Sequence, residues 1–179
     1  NDLRKAVYFE KKPVYIMGTD YPEIICVNKY PGNPQLFTTA TTNYAHKPKV
    51  FRIAEMYLIN AEAAAQVSGS EATALASLNA IRTARGLTAL TGLTGTSLLN
   101  AVKEERTREL MFEGNRLDDL KRWKLGFERK TPQNMDVIVT GVDFNQKVVA
   151  ASDNKFVWGL PTNDITTNPS LKDQQNPGW

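Results

Sequence analysis

The chain has 179 residues, 41% of them hydrophobic and 23% charged, with a formal net charge of +3 at pH 7. That balance describes an ordinary globular chain with room for one core, or one core with an irregular attachment. The charge is too weak to argue for nucleic acid, no apolar run is long enough to span a bilayer, and a lone cysteine, Cys26, excludes an intrachain disulfide.

Residues 1–50 hold five of the nine prolines, which punctuate short apolar runs, Val14 to Met17 and Ile24 to Val27, expected as edge strands or extended segments. Cys26 lies between Ile25 and Val27 and is expected as a small core side chain. Thr38 to Asn43 is a polar loop. His46, the single histidine, sits beside Lys47 and Pro48, so a triad or multi-histidine metal site would have to be built around it alone. It is taken as a bystander, and no cofactor is expected. Lys29, Lys47, Lys49 and Arg52 make a loose basic neighbourhood without the aromatic and glycine spacing of an RNA-binding motif.

Val50 to Val67 is apolar nearly all round and rich in alanine, which predicts a helix packed closely on more than one side. Ser68-Gly69-Ser70 breaks it, Ser70 is placed to cap a second helix from Glu71 to Ala84, and Gly86 ends that helix. The pair suits a helix hairpin of tetratricopeptide type. Leu87 to Thr96 is a Thr/Gly-rich connector, and Ser97 is placed to cap a long third helix reaching Trp123, with Gly114 interrupting it for close approach of a neighbour. Beyond Gly126 short strand-like runs follow, Val137 to Val139 and Phe156 to Trp158, and then a polar tail from Asn163 to Trp179 that is ordered only if it docks on something.

The third helix carries the most informative pattern. At about 100° per residue its inner arc collects Leu99, Val102, Arg106, Glu109, Leu110, Glu113, Arg116, Leu117, Leu120 and Trp123. Lys103, Glu104, Thr107 and Arg108 fall on the opposite side, so the inner charges are not the solvated face. Such a row reads either as a carboxylate pair with a basic clamp or as a structural ion network between helices. The second reading is favoured, because buried ions persist only when paired and no nucleophile or metal partner is positioned beside them. With Glu55, Glu62, Arg82 and Arg85 of the preceding hairpin, the row reads as one side of an interhelix network. A glycoside hydrolase built on Arg106, Glu109, Glu113 and Arg116 is the minor alternative, and the chain is not expected to be an enzyme.

Several segments together resemble the SusD/RagB family of Bacteroidetes outer-membrane nutrient-binding lipoproteins, in its C-terminal portion. FRIAEMYLINAEA at 51–63 resembles the family's first helix of this region, with Arg52, Ala54, Glu55, Leu58, Ala61, Glu62 and Ala63 in place. ALASLNAIRTARGL at 74–87 is similar to the next. The third match comprises Glu105, Arg106, Glu109, Leu110, Phe112, Glu113, Gly114, Arg116, Asp119, Leu120, Arg122 and Trp123, and Lys29-Tyr30 and the ending LPTNDITTNPSLKDQQNPGW fit as well. Trp179 stands where tyrosine is more usual.

The resemblance implies a mainly α fold: a tetratricopeptide-like hairpin and long third helix as core over 51–125, irregular loops over 1–50, and an irregular C-terminal segment with short strands over 126–179. It implies surface display at the outer membrane through an N-terminal lipid anchor absent from this chain, with missing sequence before Asn1. It also implies a SusC-like TonB-dependent transporter as partner and a glycan or other nutrient as ligand. The alternative is a helical-repeat interaction module with no ligand site in this segment. No ligand residue carries over from the family. Exposed aromatics Tyr15, Tyr21, Tyr30, Phe37 and Tyr44 are the candidates by chemistry, with packing against the missing region as their competing role, whereas Trp123 and Trp158 are expected in the core.

Overall fold

A computed structural model describes residues 2–16, 18–37, 45–47, 49–134 and 148–179. The Thr38–Asn43 loop, Tyr44, Met17, Pro48 and the Val137–Val139 run lie outside the described residues. The chain forms two compact units, Asn1–Glu113 and Gly114–Trp179.

In the first unit a short helix α1, Arg4–Tyr8, leads into a hairpin of β1, Phe9–Ile16, and β2, Thr19–Val27. The strands pair antiparallel from Phe9 with Val27 to Ile16 with Thr19, and the register shifts between Lys12 and Val14. Pro13 lies at that shift, where it has no N–H to give the ladder. Cys26 is half-buried on β2, not a core residue, because a two-stranded ribbon leaves much of its surface open.

Three helices follow: α2, Ile53–Ala65, α3, Glu71–Ala84, and α4, Gly95–Glu109. Their core joins Ala54, Leu58 and Ala61 of α2, Ala74, Leu78 and Ile81 of α3, and Leu98 and Val102 of α4, with Leu110 beyond. The alanines let α2 approach its neighbours closely. Gly86, at φ +75°, ends α3, where Leu87 N–H donates to Arg82 O at 2.9 Å and Gly86 N–H to Thr83 O at 3.0 Å. Asn79 then pins the connector, exchanging two 2.8 Å hydrogen bonds with the Leu90 backbone. Neither predicted serine cap forms: Ser70 makes no side-chain cap bond, and α4 starts earlier, at Gly95, with Ser97 Oγ donating to Thr94 O.

The mainly helical architecture stands, but the third helix is shorter than predicted. It stops at Glu109, Phe112 and Gly114 take φ of +61° and +85°, and a separate α5 occupies Arg116–Trp123.

In the second unit α5 ends at Lys124 in the left-handed conformation. The two-residue strands β3, Phe127–Glu128, and β4, Val148–Val149, pair antiparallel. Leu120, Val149 and Phe156 form a small core, with Phe127 edge-on to Phe156 at 6.2 Å. Phe156 to Trp158 is not a strand: a 3-10 turn, Asn154–Phe156, precedes it and the backbone then runs extended without a ladder. The tail, α6 at Thr162–Thr167 and a 3-10 turn at Pro169–Gln174, is held by amides. The Gln175 side chain accepts from Leu160 N–H at 2.8 Å and donates to Leu160 O at 3.1 Å, and Asn176 Nδ2 donates to Asn154 O and Val157 O.

Candidate functional site

The charged row of α4 is buried. Leu98, Val102, Glu105 and Glu109 follow one another at helical spacing along the inner face, and both glutamates are 0% exposed. The predicted arc sits one position off at its start: Leu98, not Leu99, is the fully buried leucine, and Glu105 belongs inside. Arg116 and Leu117 are exposed on α5, while Trp123 is half-buried with the Arg122 guanidinium 4.7 Å from its ring centroid.

Glu109 is the hub. Arg85 grips it with two parallel bonds, Nε to Oε2 at 2.9 Å and Nη2 to Oε1 at 2.8 Å. Arg4 Nη1 reaches Oε2 at 3.2 Å and Arg52 Nη2 reaches Oε1 at 3.1 Å. Glu105 is held by Arg4 at 2.7 Å, Arg82 at 3.1 Å and Arg108 at 3.4 Å. Glu113 pairs with Lys29, and with Arg52 at 2.8 Å. Arg106 turns to Glu55 of α2 at 3.2 Å, and Glu62 is buried on the same helix. Interlocked pairs of this kind satisfy the condition under which buried charge is tolerated.

Electrostatics follow the geometry. Burial pushes the Glu109 carboxyl up, but the Arg85 hydrogen bonds and the fields of Arg85, Arg52 and Arg4 outweigh it and hold the group below its ordinary value. Arg85 is raised in return, chiefly by its hydrogen bond to Glu109. Burial dominates at Lys29 and lowers it despite Glu113. At Tyr30, burial and the neighbouring Glu113 carboxylate push the phenol up to about 12.

The helix break has its cause here. Lys29 Nζ donates to Glu109 O at 2.6 Å and Met111 O at 2.9 Å, and lies 4.5 Å from the centroid of the Tyr8 ring. Arg52 Nη2 donates to Glu109 O at 3.1 Å. Two cations from distant sequence thus satisfy carbonyls that would otherwise continue the helix, and they sit at the negative end of its dipole. Lys29 and Arg52 are therefore not part of a surface basic patch, whereas Lys47 and Lys49 are exposed.

Chemically, this centre is a clamp. Each carboxylate of the row meets at least two cations, so none is placed as a lone base beside an open cavity. Of the row's partners, Arg82 and Arg85 were legible as basic residues on the hairpin. Arg4 was not, since nothing local in the irregular start marks it. Glu105 was signalled by the spacing from Leu98 and Val102.

The aromatic candidates scatter. Tyr15 on β1 is 71% exposed, Phe37 is exposed and Tyr21 half-buried. Tyr30 belongs to the rim of the ion network, with His46 stacked on it at 5.4 Å and 24°. Trp158 is 76% exposed rather than in the core: Phe156 fills the second unit's core from the 3-10 turn, and Trp158, two residues on, faces outward. Trp179 lies 5.9 Å from it, centroid to centroid, and donates Nε1–H to Val157 O at 3.1 Å. That Trp pair was missed. The glycine after Trp158 was its only signal, since a Cβ on Gly159 would stand 2.7 Å from the Trp179 ring. Among the described residues no cluster of acidic, cysteine and histidine side chains is arranged to hold a metal, and no helix is long and apolar enough to cross a membrane.

Comparison with known proteins adds a second line. The sequence profile of the SusD family matches residues 21–179. A crystal structure of a SusD superfamily protein from Bacteroides vulgatus superposes with a TM-score of 0.68 at 25% identity, covering 99% of this chain and 36% of that one. A candidate sugar-binding protein from the same organism gives 0.64 at 30% identity, covering 87% and 33%. A SusD-like protein from Bacteroides fragilis gives 0.53 at 26% identity, covering 80% and 28%. The chain thus spans about a third of the length of these solved relatives. No curated protein matches it.

Proposed function

Because the chain belongs to the SusD family, we propose that it is part of a cell-surface nutrient-binding protein of the outer membrane, one that takes glycans and works with a SusC-like TonB-dependent transporter. The family match over residues 21–179 is the observation that carries this reading. The likeness to a candidate sugar-binding protein supports the glycan as ligand. Attachment to the membrane would come through a lipid anchor outside these residues.

In this reading the chain binds and does not catalyse. The carboxylates that a hydrolase would need are consumed in pairing: Glu105 and Glu109 are fully buried, and Glu113 is clamped by Lys29 and Arg52. The α4 network supplies a rigid scaffold, and ligand contacts belong to aromatic faces on the periphery, where flat rings can lie against sugar rings. Of the loop and strand aromatics singled out by their chemistry, Tyr15 has the most open ring among the described residues.

Isothermal titration of the full-length protein against a panel of oligosaccharides tests the proposal, with co-purification of the transporter as the second arm. Saturable glycan heats and a stable complex are expected. A protein that takes up no member of the panel and binds peptides instead would overturn the glycan assignment.

A further inference from the structure

In the second unit the indoles of Trp158 and Trp179 stand 76% and 54% exposed, while Leu120, Val149 and Phe156 fill the core of the same unit. An indole left this open forgoes the burial that makes aromatic side chains stabilising. The pair is nonetheless held in place. Trp179 Nε1–H donates to Val157 O at 3.1 Å, and Asn176 Nδ2 donates to that same oxygen at 3.0 Å as well as to Asn154 O. Gln175 fixes the strand of chain beside them through both polar groups of the Leu160 backbone. Gly159 lets the Trp179 ring lie where a Cβ would stand 2.7 Å from it. Rings that are ordered but not buried are suited to a ligand, because their freedom is lost on folding and not again on binding.

The polar groups left over at the pair select the ligand. Trp158 Nε1–H finds no acceptor among the described residues, and Asn176 Oδ1 accepts no hydrogen bond among them, although the nitrogen of the same amide is engaged twice. The Asn176 amide sits beside the Trp179 indole, since both donate to Val157 O. Open aromatic faces with one spare donor and one spare acceptor complement a ring that carries C–H bonds on its face and hydroxyls on its rim. A protein partner fits less well: two indoles present at most roughly 500 Å², below the roughly 800 Å² per partner of a standard protein–protein interface. We propose that the Trp158–Trp179 pair is a carbohydrate platform, stacking on the sugar rings of a glycan while Trp158 Nε1–H and Asn176 Oδ1 meet its hydroxyls. The platform rests on the glycan reading given above and supplies its place of contact, in the second unit and apart from the loop aromatics.

The test titrates the full-length protein with the oligosaccharide panel, as wild type, Trp158→Ala and Trp158→Phe. Trp158→Ala should weaken binding of whichever glycan the wild type takes by at least about tenfold. Trp158→Phe keeps an aromatic face but loses the N–H, and should weaken it by about threefold. A second readout follows the wild type itself: the part of the indole emission that Trp158→Phe removes should be open to acrylamide quenching in the free protein and shielded by saturating glycan. Unchanged glycan affinity in Trp158→Ala would overturn the platform and leave the glycan reading standing. Emission from Trp158 that is already shielded without glycan would do the same, because another part of the polypeptide would then cover the ring. A wild-type protein that binds no member of the panel would overturn both.

Discussion

Arg85, at the end of α3, and Glu109, at the end of α4, are joined by two parallel hydrogen bonds of 2.9 and 2.8 Å. The fork of the guanidinium matches the carboxylate in plane and spacing, which lysine could not do. This pair fixes where two helices end relative to each other. Arg4 and Arg52 then close around the same carboxylate from the start of α1 and from the head of α2.

Removing the hub is therefore costly. Glu109→Ala takes from Arg85 the carboxylate it grips, removes one of the partners of Arg4 and of Arg52, and should destabilise by about 3–5 kcal/mol. Glu104→Ala removes only the exposed pair with Arg108 and should cost under about 1 kcal/mol. Urea denaturation of the two variants checks the contrast, and equal midpoints would refute the assignment of Glu109 as hub.

Acid should unpick the same centre. The folded carboxyl of Glu109 lies below its ordinary value of 4.5. Its contribution is therefore fully present above that value and is lost as pH falls through the lower, folded value. Melting temperature should drop on acidification below about pH 4.5, and Glu109→Gln should flatten that limb while starting from lower stability. An unchanged acid slope in Glu109→Gln would place the titration elsewhere.

At the alkaline end Tyr30 gives the mirror case. Its phenol is pushed up to about 12 from an ordinary 10.0. The stability it contributes is complete below the ordinary value and disappears as pH climbs toward the folded one. The ultraviolet phenolate titration of the native protein minus that of Tyr30→Phe should show one late-ionising tyrosine. A difference curve centred near the ordinary value would contradict burial against Glu113.

In the second unit Gly159→Ala tests the Trp pair. The added Cβ would meet the Trp179 ring at 2.7 Å, so the indole must shift from its place, at a cost of about 1–3 kcal/mol. The near-ultraviolet circular dichroism of the coupled indoles should change, with little loss of helical signal. An unaltered aromatic spectrum would show that the rings are not held as described.

Much of this was legible in the sequence, and the misses share a physical origin. Helix α3 was bounded to the residue, because Gly69 and Gly86 mark its ends locally, whereas α2 runs over Ile53–Ala65 and not from Val50 to Val67, its apolar pattern continuing past both ends. The burial of Glu109 and Arg106 followed from periodicity. The stop of α4 did not, since Leu110 to Glu113 continue a plausible helical pattern and the signal to stop comes from Lys29 and Arg52, far away in the chain. Trp158 was misplaced for a similar reason: hydrophobicity alone does not say which of Phe156 and Trp158 fills a core with room for one.

The capping of α4 by Lys29 also sets a limit on how far the start of this unit can be trimmed. A fragment trimmed to begin at Ile53 would retain Glu105, Glu109 and Glu113 but lack Arg4, Lys29 and Arg52, which supply both cations of Glu113 and two of the three around Glu109. The proline-rich opening, which looks dispensable beside the helices, is thus their source of counter-charge. Deletion boundaries for expression should fall before Asp2, whose carboxylate holds Arg4 in place.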